Sequence, residues 1–151
     1  MCEAVFTKSA PPPAGFYSQA VRAGDFLFIA GQLPLDAHGR VVDQDIAQQT
    51  RQALSNVQAI LTAAGGRVDN LVQCTLYISR IEDWSEVNRV YAEMLSSVPV
   101  APARAVVPVR EMHYGALIEI QAVAYIQDFR SPRFSSEAAS RFLQLVPEDG
   151  G

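Results

Sequence analysis

Cysteine and histidine are scarce in this sequence: Cys2 and Cys74 are the only thiols, and there are two histidines. Two cysteines make no disulfide framework. Cys74 sits in an apolar run and reads as an inert core thiol, whereas Cys2 is near the chain end. No C-x-x-C, H-E-x-x-H or clustered Cys/His spacing occurs, so no metal site is expected. No apolar run reaches the roughly 18 residues a membrane span needs, so no membrane partner is expected. No basic region followed by an apolar run opens the chain, so no signal peptide is expected. With free thiols, that makes a reducing cytoplasm the expected location. Positive charge is also sparse: 12 Lys and Arg against 16 Asp and Glu give a net charge of −4. The basic residues are dispersed, which argues against a nucleic-acid surface built on bulk charge.

What is present is apolar and ordered. The 49% hydrophobic and 19% charged content fits a soluble globular protein. A chain of 151 residues makes one domain with a core that needs no staple. The central stretch is 97–126. It reads as strands at 103–109 and 117–126, joined by a turn ending at Gly115. Pro108 marks an edge or a bulge. Arg104 and Glu119 interrupt these apolar strands, and an isolated strand charge is costly unless paired or met by a charged ligand. Two readings stay open. One is an Arg104–Glu119 salt bridge or solvent-facing positions; the other is an anion-binding arginine with a carboxylate that handles a proton or a water.

Upstream, a short apolar run within 1–7 suggests an edge strand, and the prolines of 10–15 an extended surface linker. Strands at 17–22 and 26–30 flank an A-G-D hairpin turn. Gly31 suggests close backbone approach or an unusual dihedral. A surface turn is expected at 36–40. Helical periodicity covers 45–64, with Ile46, Thr50, Ala53, Leu54, Val57, Ile60, Leu61 and Ala64 inward. Gln48, Gln49, Arg51, Gln52 and Ser55 are expected largely in water, and Gly65-Gly66 ends the helix. Alternation over 71–79 puts Val72, Cys74, Leu76 and Ile78 on one strand face. D-W-S-E at 83–86 has capping-box spacing, opening a helix to about Ser96 with Val87, Val90, Tyr91, Met94 and Leu95 buried. A short helix is expected at 138–146.

This order predicts an α+β fold, a mixed sheet with two helices on one face. Its other face carries Val123 and Tyr125 beside Glu119 and Gln121. A partly apolar open face predicts self-association.

The motifs G-F-Y-S-Q (15–19), I-A-G-Q-L-P (29–34), A-A-G-G (63–66), E-V-N-R-V-Y (86–91), A-P-A-R-A (101–105) and G-A-L-I-E-I-Q-A-V-A (115–124) occur in one order. With them the chain resembles the reactive intermediate deaminases, the Rid or YjgF-like proteins, from about Ala4 to Ile126. The resemblance implies a chorismate-mutase-like subunit in a homotrimeric barrel, sheets inward and helices outside, with sites in clefts between subunits. It divides the chain into a Rid-like domain, 1–127, and a C-terminal extension, 128–151. It implies cofactor-independent hydrolysis of enamines and imines such as 2-aminoacrylate to 2-keto acids and ammonia, with a small carboxylate-bearing substrate.

Residue by residue, the resemblance makes Arg104 the carboxylate anchor and Glu119 the water-handling carboxylate. Tyr17 becomes a site tyrosine and Gly31 a cleft-lining glycine. It puts Asn88 at the subunit boundary, bonding either across it or to local backbone. Four positions depart from the family pattern: Phe16 replaces a proline, Val106 a small polar site-wall residue, Gln121 a glutamate, and Met112-His113-Tyr114 a proline-rich loop. His113 is either an additional acid/base group or an exposed turn histidine. Besides imine hydrolysis, three readings remain: a pathway-dedicated enzyme for a different or larger imine, a non-enzymatic small-acid-binding regulator, and, last, a ribonuclease.

Overall fold

The computed structural model describes residues 1–43 and 45–127. The expected helix at 138–146 and the rest of the extension lie outside the described residues. Six strands form one sheet: β1 (Cys2–Val5), β2 (Ala20–Ala23), β3 (Phe26–Gln32), β4 (Leu71–Ile78), β5 (Ala103–Pro108) and β6 (Ile118–Tyr125). Their spatial order is β1-β2-β3-β6-β4-β5. All neighbours are antiparallel except β4 and β5, which run parallel. Helices α1 (Ile46–Ala63) and α2 (Trp84–Met94) supply the crossovers. Among the described residues no helix is long and apolar enough to cross a membrane.

The sheet buries one face. Leu27, Ile29, Cys74, Leu76, Ile78, Ile118, Ile120, Ala122 and Ala124 meet Leu54, Val57, Ile60, Leu61, Val87 and Tyr91 of the helices in one core. Burying a leucine, isoleucine or valine side chain of this set contributes roughly 1.5–3 kcal/mol. The opposite face keeps Phe26, Phe28 and Tyr125 exposed. The Phe26 ring meets Tyr125 edge-on at 5.4 Å.

Local chemistry sets the element ends. Asp45 caps α1 by accepting from the Ala47 and Gln48 amides. Gly65 follows in the left-handed conformation, φ 81°, which L side chains adopt at a cost. The hairpin turns at Gly24, φ 60°. The expected surface turn forms where Asp36 accepts from the His38 and Arg40 amides. Gln19, 2% exposed, fixes the proline-rich segment. Its side chain accepts from the Thr7 amide and donates to the Thr7, Ala10 and Pro11 carbonyls. An arm that cannot pair as a strand is thereby held against the sheet.

The strands expected at 103–109 and 117–126 form as β5 and β6, with β4 between them in the sheet. Three expectations are corrected. Val72 is exposed and Leu71 takes the inward place; a register shift between Leu71 and Gln73 inserts one residue and turns Val72 outward. Gln49 is fully buried rather than wet. Its amide accepts from the Leu117 N–H and donates to the Asp43 carbonyl, so both ends are satisfied. Asp83 makes no cap bond to α2. It holds Arg80 through two bonds of 2.9 and 3.0 Å instead, a charge-assisted pairing that competes successfully with capping.

Candidate functional site

Strand register decides where the two strand charges point. Directly paired residues share a sheet face, and successive residues alternate. Arg104 pairs with Cys74, whose side chain is in the core, so Arg104 lies on the helix face. Glu119 pairs with Tyr77, on the open face. With β4 between them, β5 and β6 are about 9–10 Å apart. Within one copy, Arg104 and Glu119 are therefore on opposite sides of the sheet. No salt bridge joins them among the described residues, so that early alternative is set aside.

The Arg104 side is built by α2. Arg104 Nη1 donates to Asn88 Oδ1 at 2.9 Å. Neither alternative expected for Asn88, a bond across a boundary or to local backbone, describes this contact. The guanidinium carbon stands 4.9 Å from the Tyr91 ring centre and 5.8 Å from that of Trp84. Cation–π contact of this kind contributes roughly 0.5–2 kcal/mol. Trp84, Asn88 and Tyr91 recur at helical spacing, so one face of α2 presents all three. Burial, with Cys74 alongside, pushes the Tyr91 phenol well up, opposed by Arg104. Burial likewise pushes the Cys74 thiol up, which keeps it an inert thiol. Asn88, Tyr91, Pro102 and Arg104 line a cavity of about 490 Å³ that is otherwise largely apolar. Sequence reasoning missed Trp84 and Tyr91 as partners of Arg104; aromatic residues one turn either side of Asn88 were the available signal. Val106 is not in this wall, because it packs against the core.

The Glu119 side is built by β3, β6 and two loops. Tyr17, Ala30, Gly31, Leu33, Tyr114 and Glu119, with His113, line a second cavity of about 520 Å³. The β3–β6 register shifts between Ile29 and Gln32, a bulge at Ala30-Gly31. Gly31 is where the Glu119 side chain rests. A Cβ there would collide with Glu119 Oε1 and stand 2.9 Å from its Cδ. The close approach expected at Gly31 is thus its packing against this carboxylate. Among the described residues no hydrogen bond or ion pair holds Glu119. Burial raises its pKa above the ordinary glutamate range, partly opposed by the charge of His113. The phenol oxygen of Tyr17 accepts from the Ala14 N–H at 3.1 Å, which ties the ring to the arm that Gln19 anchors.

His113 is exposed, as one reading had it, and it also lines the cavity that holds Glu119. The turn that carries it is unusual. Tyr114 has φ 62° and ψ 17°, the one non-glycine positive φ among the described residues. A bulky residue held there costs on the order of 1–3 kcal/mol. Phe16, beside Tyr17, is fully exposed. The structure thus brings together Tyr17, Gly31 and Glu119 in one place, Arg104 and Asn88 in another, and does not join the two groups in a single copy.

The family profile described as Endoribonuclease L-PSP matches residues 7–126. A RutC family protein of Pyrococcus horikoshii is 47% identical over 126 residues, 83% of this chain and 98% of that protein. The 2-iminobutanoate/2-iminopropanoate deaminase of Salmonella typhimurium is 34% identical over 125 residues, 82% of this chain and 98% of that enzyme. Among solved structures, a Rid protein of unknown function from Yersinia pestis, YyfA, superimposes with a TM-score of 0.81 at 38% identity, covering 83% of this chain and all of that one.

Proposed function

The chain belongs to the Rid, or YjgF-like, family that the Endoribonuclease L-PSP profile covers, and from that premise we propose that it is an imine and enamine deaminase. It hydrolyses 2-aminoacrylate-type intermediates to 2-keto acids and ammonia without a cofactor. The observation that carries the reading is the split of the site. An anion-binding half and a carboxylate half are each assembled locally, yet on opposite faces of the sheet. A substrate of a few heavy atoms reaches both only if a second copy brings its Arg104 side to the first copy's Glu119 side. A closed ring of copies does this at every boundary. The exposed Phe26, Phe28 and Tyr125 supply apolar surface for the association. The assembly proposed is a homotrimer.

In that shared cleft, Arg104 takes the substrate carboxylate in its two-pronged fork. Such a charge-assisted bond contributes roughly 1.5–3 kcal/mol. Asn88 and the two rings hold the guanidinium in place beforehand, so less order is lost on binding. A protonated imine is already electrophilic, so hydrolysis needs position and a proton route more than activation. Glu119, half-buried and without a hydrogen-bond or ion-pair partner among the described residues, accepts the proton of the attacking water. Tyr17 orients the water or the departing nitrogen, and Gly31 leaves room for both carboxylate and substrate.

A larger imine is the second reading, favoured by Tyr114 in the cavity wall. The name endoribonuclease is not carried over. A net charge of −4 and a carboxylate at the heart of the cavity repel a phosphate backbone. Ammonia release from freshly generated 2-aminoacrylate, corrected for the spontaneous rate, tests the proposal. Acceleration is expected; its absence with every imine tried moves the protein to a small-acid binder.

A further inference from the structure

The 520 Å³ cavity holds one titratable side chain besides Glu119 and the tyrosines, and that is His113. Three observations set it apart from a surface histidine. It lines the same cavity as Glu119 and Tyr17. Its charge opposes the burial-driven rise of the Glu119 pKa, and no ion pair joins the two among the described residues. The turn that presents it is held by a left-handed tyrosine followed by a left-handed glycine, Tyr114 at φ 62° and Gly115 at φ 68°. The Tyr114 ring stands 6.0 Å from the imidazole. Strain kept at a cavity wall is a mark of a functional turn.

We infer that His113 is a second catalytic group, the acid that protonates the departing nitrogen while Glu119 acts as the base on water. The inference rests on the deaminase reading. A single carboxyl would have to take a proton from water on one side of the imine carbon and deliver one to nitrogen on the other. Two groups in the wall of one cavity divide that work, and histidine exchanges protons near neutrality. The water oxygen forms the C–O bond as the C=N electron pair moves to nitrogen, and one water proton passes to Glu119. The imidazolium of His113 protonates the amine. The C–N bond breaks with its electron pair leaving on ammonia, and the carbonyl forms. The remaining hydroxyl proton restores the imidazolium, and Glu119 yields its proton to ammonia or solvent.

The test measures ammonia release by full-length wild type and His113→Ala, together with pyruvate affinity by calorimetry and the effect of added imidazole. The expected result is a kcat lowered about 100-fold, the low end for a general acid, with little change in pyruvate affinity and partial recovery of kcat with imidazole. A kcat within twofold of wild type overturns the inference and leaves the deaminase reading standing. So does a loss that imidazole does not restore, which makes the histidine structural. Absence of turnover in the wild type overturns both. His113→Asn, which keeps the size and polarity of the side chain, guards against a collapsed turn; it is expected to lose as much kcat as His113→Ala.

Discussion

The Arg104 side and the Glu119 side of the molecule solve opposite problems. Arg104 is held on three sides, by Asn88 at 2.9 Å and by the rings of Tyr91 and Trp84. Glu119 is held by shape alone: it lies on Gly31 and makes no hydrogen bond among the described residues. A binding group gains from being fixed before its ligand arrives. A base gains from an unspent lone pair and from partial burial, which raises its proton affinity. The difference teaches that the two strand charges, alike in sequence, are kept apart by a one-residue difference in face. In the proposed deaminase, each half is incomplete as chemistry until a second copy is present.

Breaking one half at a time sharpens this comparison. The largest effect is expected from Glu119→Gln. It keeps the shape against Gly31 but removes the base, so kcat falls about 10²- to 10⁴-fold, toward the low end for an imine that hydrolyses readily by itself. Pyruvate affinity changes little. Wild-type acceleration surviving in this variant contradicts the role of Glu119.

Next comes Arg104→Ala. Loss of a charge-assisted bond predicts pyruvate affinity weaker by about 10- to 150-fold. Arg104→Lys restores only part, because a point charge lacks the fork. Calorimetry on the intact assembly is the check, and unchanged affinity makes Arg104 structural.

Gly31→Ala is milder. The new methyl displaces a flexible carboxylate rather than backbone, so folding is preserved while the base is moved. A displacement near 1 Å costs up to about 10² in rate. Steady-state kinetics should show kcat falling with a denaturation midpoint close to wild type. A collapse in stability with it would mean that Gly31 serves the fold and not the site.

The smallest effect is on pH dependence. Burial raises the Glu119 pKa, so the folded state binds its proton more tightly than the unfolded chain. That contribution to stability is present below the ordinary glutamate pKa and is lost as pH rises through the raised value. Thermal melts of wild type should show a slight decline over that window that Glu119→Gln lacks. Activity runs the other way, rising with pH as the base ionises.

Much of the fold was legible because periodicity survives in a single sequence. The α1 stripe, the hairpin at Gly24 and the one-sided sheet follow from residue spacing. What was not legible depends on tertiary competition. Gln49 looks like a surface residue until the backbone of Leu117 and Asp43 needs its amide. Asp83 has capping spacing, but Arg80 outbids the α2 amides. Val72 alternates correctly until a bulge shifts it. At the site, Arg104 and Glu119 stood out as isolated strand charges and Gly31 as a point of close approach, while Tyr17, Asn88 and the roles expected of all five came through motif resemblance. Their division between two faces was not legible, because it depends on the register that β5 and β6 each take against β4, which no local pattern encodes.

The central claim is that a working site needs halves from two copies. Arg104→Ala and Glu119→Gln chains, carrying different tags, can be co-expressed and the mixed assemblies purified and assayed for ammonia release. Each variant alone should be nearly inactive. In a closed ring of three that holds both variants, one boundary pairs an intact Arg104 side with an intact Glu119 side, so the mixed assemblies should recover about one third of wild-type activity. Mixed assemblies no more active than the parent variants would contradict the account.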